Sequence, residues 1–80
     1  MRVEIQFCAE CDYEPRAVEL AAEIRKAFPD AEIGLVPARD GKFDVKCDGD
    51  DVYEKLKRGR FPEPGEVVTL LARRASEAER

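Results

Sequence analysis

Residues 2 to 15, RVEIQFCAECDYEP, join an alternating apolar run to a pair of cysteines and then to a proline. Val3, Ile5 and Phe7 alternate with Arg2, Glu4 and Gln6, the period of a strand that turns one face to a core. Cys8 and Cys11 close the run, and from Pro15 onward the period changes. Val18, Ala21, Ala22, Ile24 and Phe28 fall at helical spacing and leave Glu19, Glu23, Arg25 and Lys26 for solvent, which predicts an amphipathic helix to Phe28. Pro29 and Asp30 stop it, and a second alternation begins at Ala31, passes through Ile33 and Leu35 and runs to Val36. Strand, helix and strand form a right-handed crossover with parallel strands, so the cysteine loop falls at the carboxyl end of the first strand. Open α/β sheets bind their ligands at that edge.

The second half reads differently. ARDGKFDVKCDGDDVYEKL predicts two short strands around Asp48, Gly49 and Asp50, residues that tolerate positive φ, and therefore a hairpin. Phe43, Val45 and Cys47 share one face of its first strand, and Val52 with either neighbour pairs across on the second. KRGRFPEPGE reads as a loop, with Pro64 suited to the first turn of a final helix whose stripe is Val67, Val68, Leu70, Leu71 and Ala75. The element order is β-α-β-β-β-α.

Eighty residues make one domain, 1 to 80, with a polar tail expected to fray from about residue 76. The amino terminus lacks an apolar signal core, and no stretch reaches the roughly 18 apolar residues of a membrane span, so the expectation is a cytoplasmic protein without a membrane partner. A net charge of −4 speaks against wrapping a polyphosphate backbone. The basic run KLKRGR at 55 to 60 reads as a solvated loop, and no nucleic-acid partner is expected. The oligomeric expectation is a monomer or a weak homodimer.

The odd count of three cysteines in a reducing compartment favours transient, catalytic disulfides over structural ones. A strand-to-helix loop offers unpartnered helix N–H groups that favour a thiolate. Two intervening residues let Cys8 and Cys11 close a small disulfide, one sulfur attacking a substrate and the other resolving the mixed disulfide. A CxxC at this point of a βαβ unit is a thioredoxin-like signal. Two other readings stand beside it. Free cysteines are often inert core residues, and Cys47, in phase with Phe43 and Val45, is read as core. A structural zinc needs four ligands, and a chain with no histidine and one further cysteine could supply them only by sharing thiolates with a second chain, so no resident metal or cofactor is expected. Glu10, Asp12 and Glu14 surround the sulfurs with Arg16 as the nearby cation, which tunes the pair towards reduction.

FCAECDYEPRAVELAAEIRKAFP resembles the selenoprotein W-like proteins of the Rdx group: a CxxC or Cys-x-x-selenocysteine motif, a tyrosine two later and a helix ending in Phe-Pro. GKFDVKCDGDDVYEKLKRGRFPEPGEVVTLL is similar to that family's Gly-x-Phe-x-Val strand, its GRFP loop and its final helix. The resemblance implies an α/β fold of the two-layer, thioredoxin-like kind, a four-stranded mixed sheet of order 2-1-3-4 with two helices. It also implies thiol redox work on a thiol or disulfide substrate, glutathione or a protein. Cys8 matches the first cysteine of the motif and Cys11 the position that carries selenocysteine in some members, although sulfur is less readily ionised there. In that strand order residues 37 to 42 cross the carboxyl end of the first strand and approach the cysteines. Pro37 is the one candidate for the cis-proline common before the third strand of such folds, several residues too early. Phe61 of the GRFP loop reads either as a staple under the final helix or as a partner contact beside the cysteines. The rival to an exchange enzyme is a redox-sensitive adaptor that docks a protein through the GRFP loop and the sheet edge.

Overall fold

The computed structural model describes residues 1–78. Its strands are β1 (Arg2–Cys8), β2 (Glu32–Ala38), β3 (Phe43–Cys47) and β4 (Asp50–Glu54), and its helices are α1 (Glu14–Ala27), α2 (Lys55–Arg58) and α3 (Glu66–Ala78). The strands form one mixed sheet in the order β2-β1-β3-β4. β1 runs parallel to β2, from Arg2 opposite Glu32 to Cys8 opposite Ala38, and antiparallel to β3, from Val3 opposite Cys47 to Phe7 opposite Phe43. The order implied by the family resemblance is therefore the order found.

The alternation in β1 and β3 has the consequence the period demands. Val3, Ile5, Phe7, Phe43, Val45, Cys47 and Tyr53 form one buried cluster with Ala17, Leu20, Ala21 and Ile24 of α1 and Val67 and Leu71 of α3. Both long helices thus cover the same face of the sheet. Each large apolar side chain taken from water here contributes about 1.5–3 kcal/mol. Asp48 and Gly49 take left-handed φ values of 51° and 88°, which a two-residue turn between twisted antiparallel strands requires. The link from β2 to β3 turns tightly at Asp40 and Gly41, also left-handed, and the Cys8 N–H donates to the Lys42 carbonyl at 2.7 Å. The ends of the expected 37 to 42 crossing therefore flank Cys8, with Ala38 in register on one side and Lys42 on the other.

Several expectations are corrected. The buried stripe of α1 is Ala17, Leu20, Ala21 and Ile24, spaced i, i+3, i+4, i+7, while Val18 is 49% exposed and Ala22 is also exposed. Small alanines gave that helix two apolar stripes, and docking on the twisted sheet selected one. β2 begins and ends later than the apolar pattern does, and Leu35 and Val36 are 39% and 37% exposed because β2 is an edge strand. Among the described residues three helices are present instead of two, since Lys55–Arg58 closes one helical turn ended by Gly59 at φ 77°. Four residues with an exposed Leu56 carry no legible period. α3 starts at Glu66 and not at Pro64, because Gly65 at φ 81° cannot continue a right-handed helix. Of the two neighbours of Val52, Tyr53 stands opposite Val45 and Asp51 opposite Lys46, with a bulge between Val45 and Lys46 that leaves Val52 between the two pairs. Pro37 lies within β2, and no described peptide bond is cis. The helix persists through residues 76 to 78, and the expected fraying of 79 and 80 falls outside the described residues. Among the described residues no helix is long and apolar enough to cross a membrane.

Candidate redox site

At the end of β1 the chain makes one 3-10 turn, Ala9–Cys11, closed by Asp12 at φ 58°. The Tyr13 N–H donates back to the Cys8 carbonyl at 3.4 Å, and Tyr13 then caps α1 with Pro15 in its first turn. That placement of proline, where its missing N–H is not needed, leaves both cysteines in the loop before the helix. Cys8 and Cys11 are joined as a disulfide with their Cα atoms 5.3 Å apart. They are unequal: Cys11 is exposed, while Cys8 is 1% exposed.

Cys8 is buried but does not belong to the cluster under the helices. Alternation along β1 places it with Gln6 on the helix-free face, since Phe7 takes the core side. Across the register on that face stand Lys42, opposite Cys8, and Asp44, opposite Gln6. Asp44, at 8% exposure, is the one charged residue buried among the described residues. Burial pushes its carboxyl above the ordinary range, and Lys42, whose ammonium lies 3.8 Å away, offsets part of that push. The Gln6 amide donates to the Glu4 carboxylate at 2.7 Å, which leaves Gln6 Oε1 buried with no partner.

The GRFP loop reaches the same end of the molecule. Phe61 packs edge-on against Tyr13, with ring centroids 4.8 Å apart, and against Phe43 at 5.2 Å. It therefore packs inward, against the core that Val67 and Leu71 of α3 help to form, and links the loop to the residue that opens α1. The Arg16 guanidinium lies 4.0 Å over the Phe61 ring, so the cation assigned to the cysteines from the sequence is engaged elsewhere. The Lys55 ammonium sits 5.3 Å from the Tyr13 ring and 5.1 Å from the Phe61 ring. A cavity of about 170 Å³ lies between α1 and the loop, lined by Arg16, Leu20, Glu23, Phe43, Phe61 and Pro62 among others.

The loop is clamped from behind. The Tyr53 hydroxyl donates to the Arg60 carbonyl at 2.6 Å. The Arg60 guanidinium donates both arms to the Glu66 carboxylate at 2.7 and 2.9 Å, and the Glu63 N–H adds a third bond at 2.9 Å. That fork holds the Glu66 carboxyl down at about 2. Arg58 and Arg60 of the basic run are thus spent inside the molecule, on Glu66 and the Tyr53 ring.

Cys47 lies at the opposite end of β3, opposite Val3, five positions or roughly 17 Å along β1 from Cys8. It is free and buried, and burial pushes its thiol upward. The structure does not bring it to the pair. Among the described residues no cluster of three or more metal-ligating side chains is assembled.

Residues 2–73 match the model of the Rdx family, a span that includes the bonded pair, the GRFP loop and most of α3. The chain belongs to the Rdx family. Two mammalian relatives, each named migration and invasion enhancer 1, are 30% (Bos taurus) and 29% (Mus musculus) identical over 79 residues, 99% of this chain and 68% of theirs. A crystal structure from Bordetella parapertussis superposes with a TM-score of 0.87 at 29% identity, covering 91% of this chain and 95% of that one. The selenoprotein W-related protein from Vibrio cholerae superposes at 0.79 with 26% identity, over 96% and 94%. This Rdx chain therefore has the selenoprotein W-like fold, and its membership together with the bonded CxxC pair points to thiol redox chemistry.

Asp44 and Tyr13 are the neighbours of the pair that sequence reasoning did not assign to it, whereas Lys42 lies in the 37–42 link already expected there. The KFDV alternation at 42 to 45 marks Lys42 and Asp44 as outward-facing. Only the strand register reveals that outward there means beside Cys8.

Proposed function

We propose that this Rdx protein exchanges disulfides through Cys8 and Cys11, with Cys11 attacking and Cys8 resolving. The observation that carries the reading is the inequality of a bonded pair at the carboxyl end of β1: Cys11 open to a substrate, Cys8 buried behind it. An exposed sulfur meets a bulky disulfide, and a shielded one reacts best within the molecule. The substrate class is a thiol or disulfide, glutathione or a protein, in a reducing compartment such as the cytoplasm.

With glutathione disulfide as oxidant, Cys8→Ser traps a mixed disulfide at Cys11, whereas Cys11→Ser reacts slowly at Cys8. Mass spectrometry of the trapped species reads the outcome. Faster trapping at Cys8 would reverse the assignment, and a dominant disulfide to Cys47 in the oxidised wild type would overturn the pair itself. A second reading, a redox-sensitive adaptor, draws on the exposed Leu35 and Val36 of β2, whose last residue pairs with Cys8. The inward packing of Phe61 weighs against the GRFP loop as its anchor. Sustained, cysteine-dependent turnover in a disulfide-reductase assay favours the enzyme over the adaptor.

A further inference from the structure

The free edge of the sheet is accounted for neither by the core nor by the redox pair. β2 has β1 on one side and no strand on the other. Backbone groups in a ladder turn to alternate sides along a strand. The Glu32 N–H donates to the Met1 carbonyl at 3.0 Å, so Glu32, Gly34, Val36 and Ala38 turn their backbone groups to β1. Ile33 and Leu35 therefore turn their N–H and C=O groups outward, and among the described residues nothing bonds them. Pro37 faces outward too, with no N–H to give. Edges of this kind are ordinarily blunted by charge, a bulge or a covering loop. From Ile33 to Ala38 this one carries no charged residue, and Leu35 and Val36 are exposed on its two faces.

Gly34, midway between the two outward residues, is not required by the chain's own fold. A Cβ there would meet nothing within 4 Å, and its φ lies outside the left-handed region. Glycine weakens a strand interior, and it often marks a place where another backbone comes close.

We propose that β2 pairs antiparallel with β2 of a second copy of this chain, about a two-fold axis at Gly34. Ile33 then stands opposite the partner's Leu35 and Leu35 opposite the partner's Ile33, and each pair exchanges both main-chain bonds. Gly34 meets the partner's Gly34 in a narrow pair, with Cα atoms about 4.5 Å apart. The ladder ends where donors run out. Pro37 has none, and it falls opposite the partner's Ala31, while Ala31 in each copy already gives its N–H to the Phe28 carbonyl at 3.0 Å. No like charges meet, because Glu32 falls opposite the partner's Val36 and Asp30 opposite the partner's Ala38. The edge is thus complementary to itself in bonds and in charge, which makes a second copy its occupant. One strand pair is a small contact, so the dimer is weak and depends on concentration. The axis turns the carboxyl ends of the two β1 strands to opposite ends of the joined sheet, and both Cys11 sulfurs stay open. The pairing does not depend on the exchange reading.

Sedimentation of the reduced protein tests it: the weight-average mass rises about twofold between roughly 10 μM and 1 mM. Leu35→Lys, which sets a charge on the open edge, holds the mass at one chain over the same range, with the circular dichroism of the wild type. Gly34→Cys reads the register and leaves the edge intact. In a Cys11→Ser background, oxidation links the introduced thiols of two copies across the axis, where the Cα separation suits a disulfide. Those of Val36→Cys in the same background sit roughly 13 Å apart and stay unlinked. The proposal is overturned if the wild type remains one chain up to about 1 mM, which would leave the edge to a strand of another protein. It is overturned equally if Leu35→Lys dimerises as the wild type does, or if Val36→Cys links as fast as Gly34→Cys.

Discussion

Two carboxyl groups frame the redox end of this molecule, each beside a basic side chain, and their surroundings shift them in opposite directions. Glu66 receives both arms of Arg60 at 2.7 and 2.9 Å and is held down at about 2. Asp44 has a single ammonium at 3.8 Å, and burial raises it. A planar fork satisfies both carboxylate oxygens, whereas one distant point charge does not compensate for lost hydration. The presence of a cation therefore says little by itself. Its geometry and the water left around the acid decide the sign. Glu66 accordingly behaves as a fixed post for the GRFP loop, and Asp44 as a group that can hold or release a proton.

If the clamp at Glu66 exists to seat Phe61, removing that ring has the largest structural effect. Phe61→Ala is expected to lose roughly 2 kcal/mol, less than a fully buried phenylalanine because Phe61 is half-buried, by denaturant unfolding. A change within about 0.5 kcal/mol would mean that the loop holds nothing against Tyr13.

Next comes the other end of the clamp. Tyr53→Phe removes the donor to the Arg60 carbonyl and should cost about 1 kcal/mol, while the rate of Cys11 trapping by glutathione disulfide is unchanged. A large loss of exchange with no loss of stability would instead make the phenol part of the chemistry.

The smallest effects test the comparison most directly. Glu66, depressed from 4.5 to about 2, contributes stability that is complete above 4.5 and lost as the pH falls towards 2. Urea unfolding of Glu66→Gln should therefore fall below wild type at neutral pH and converge with it in acid. Asp44, raised from 3.8, has the opposite sign: its contribution is present below 3.8 and is lost as the pH rises through the raised value. Asp44→Asn should gain on wild type as the pH rises. Parallel curves for the two variants would erase the distinction.

The sequence alone determined that there are four strands, the core faces of β1 and β3, the crossover that puts Cys8 and Cys11 at the carboxyl end of β1, and the inward phase of Cys47. A period of two or 3.6 residues is a local property, and two of these elements carry it in large apolar side chains such as Ile5, Phe7, Phe43 and Val45. Family motifs added the 2-1-3-4 order. Where apolar residues were small, as at Ala17, Ala21 and Ala22, the pattern admitted two helix phases and only docking on the sheet chose between them. Phe61 could be read as staple or contact, because its partners Tyr13 and Phe43 are distant in sequence. The surroundings of Cys8 were decided by tertiary structure too. Lys42 and Asp44 come from a segment more than thirty residues away, and their place across from the end of β1 is set by its pairing with β3. Register is a property of two strands together, and no period within either one encodes it.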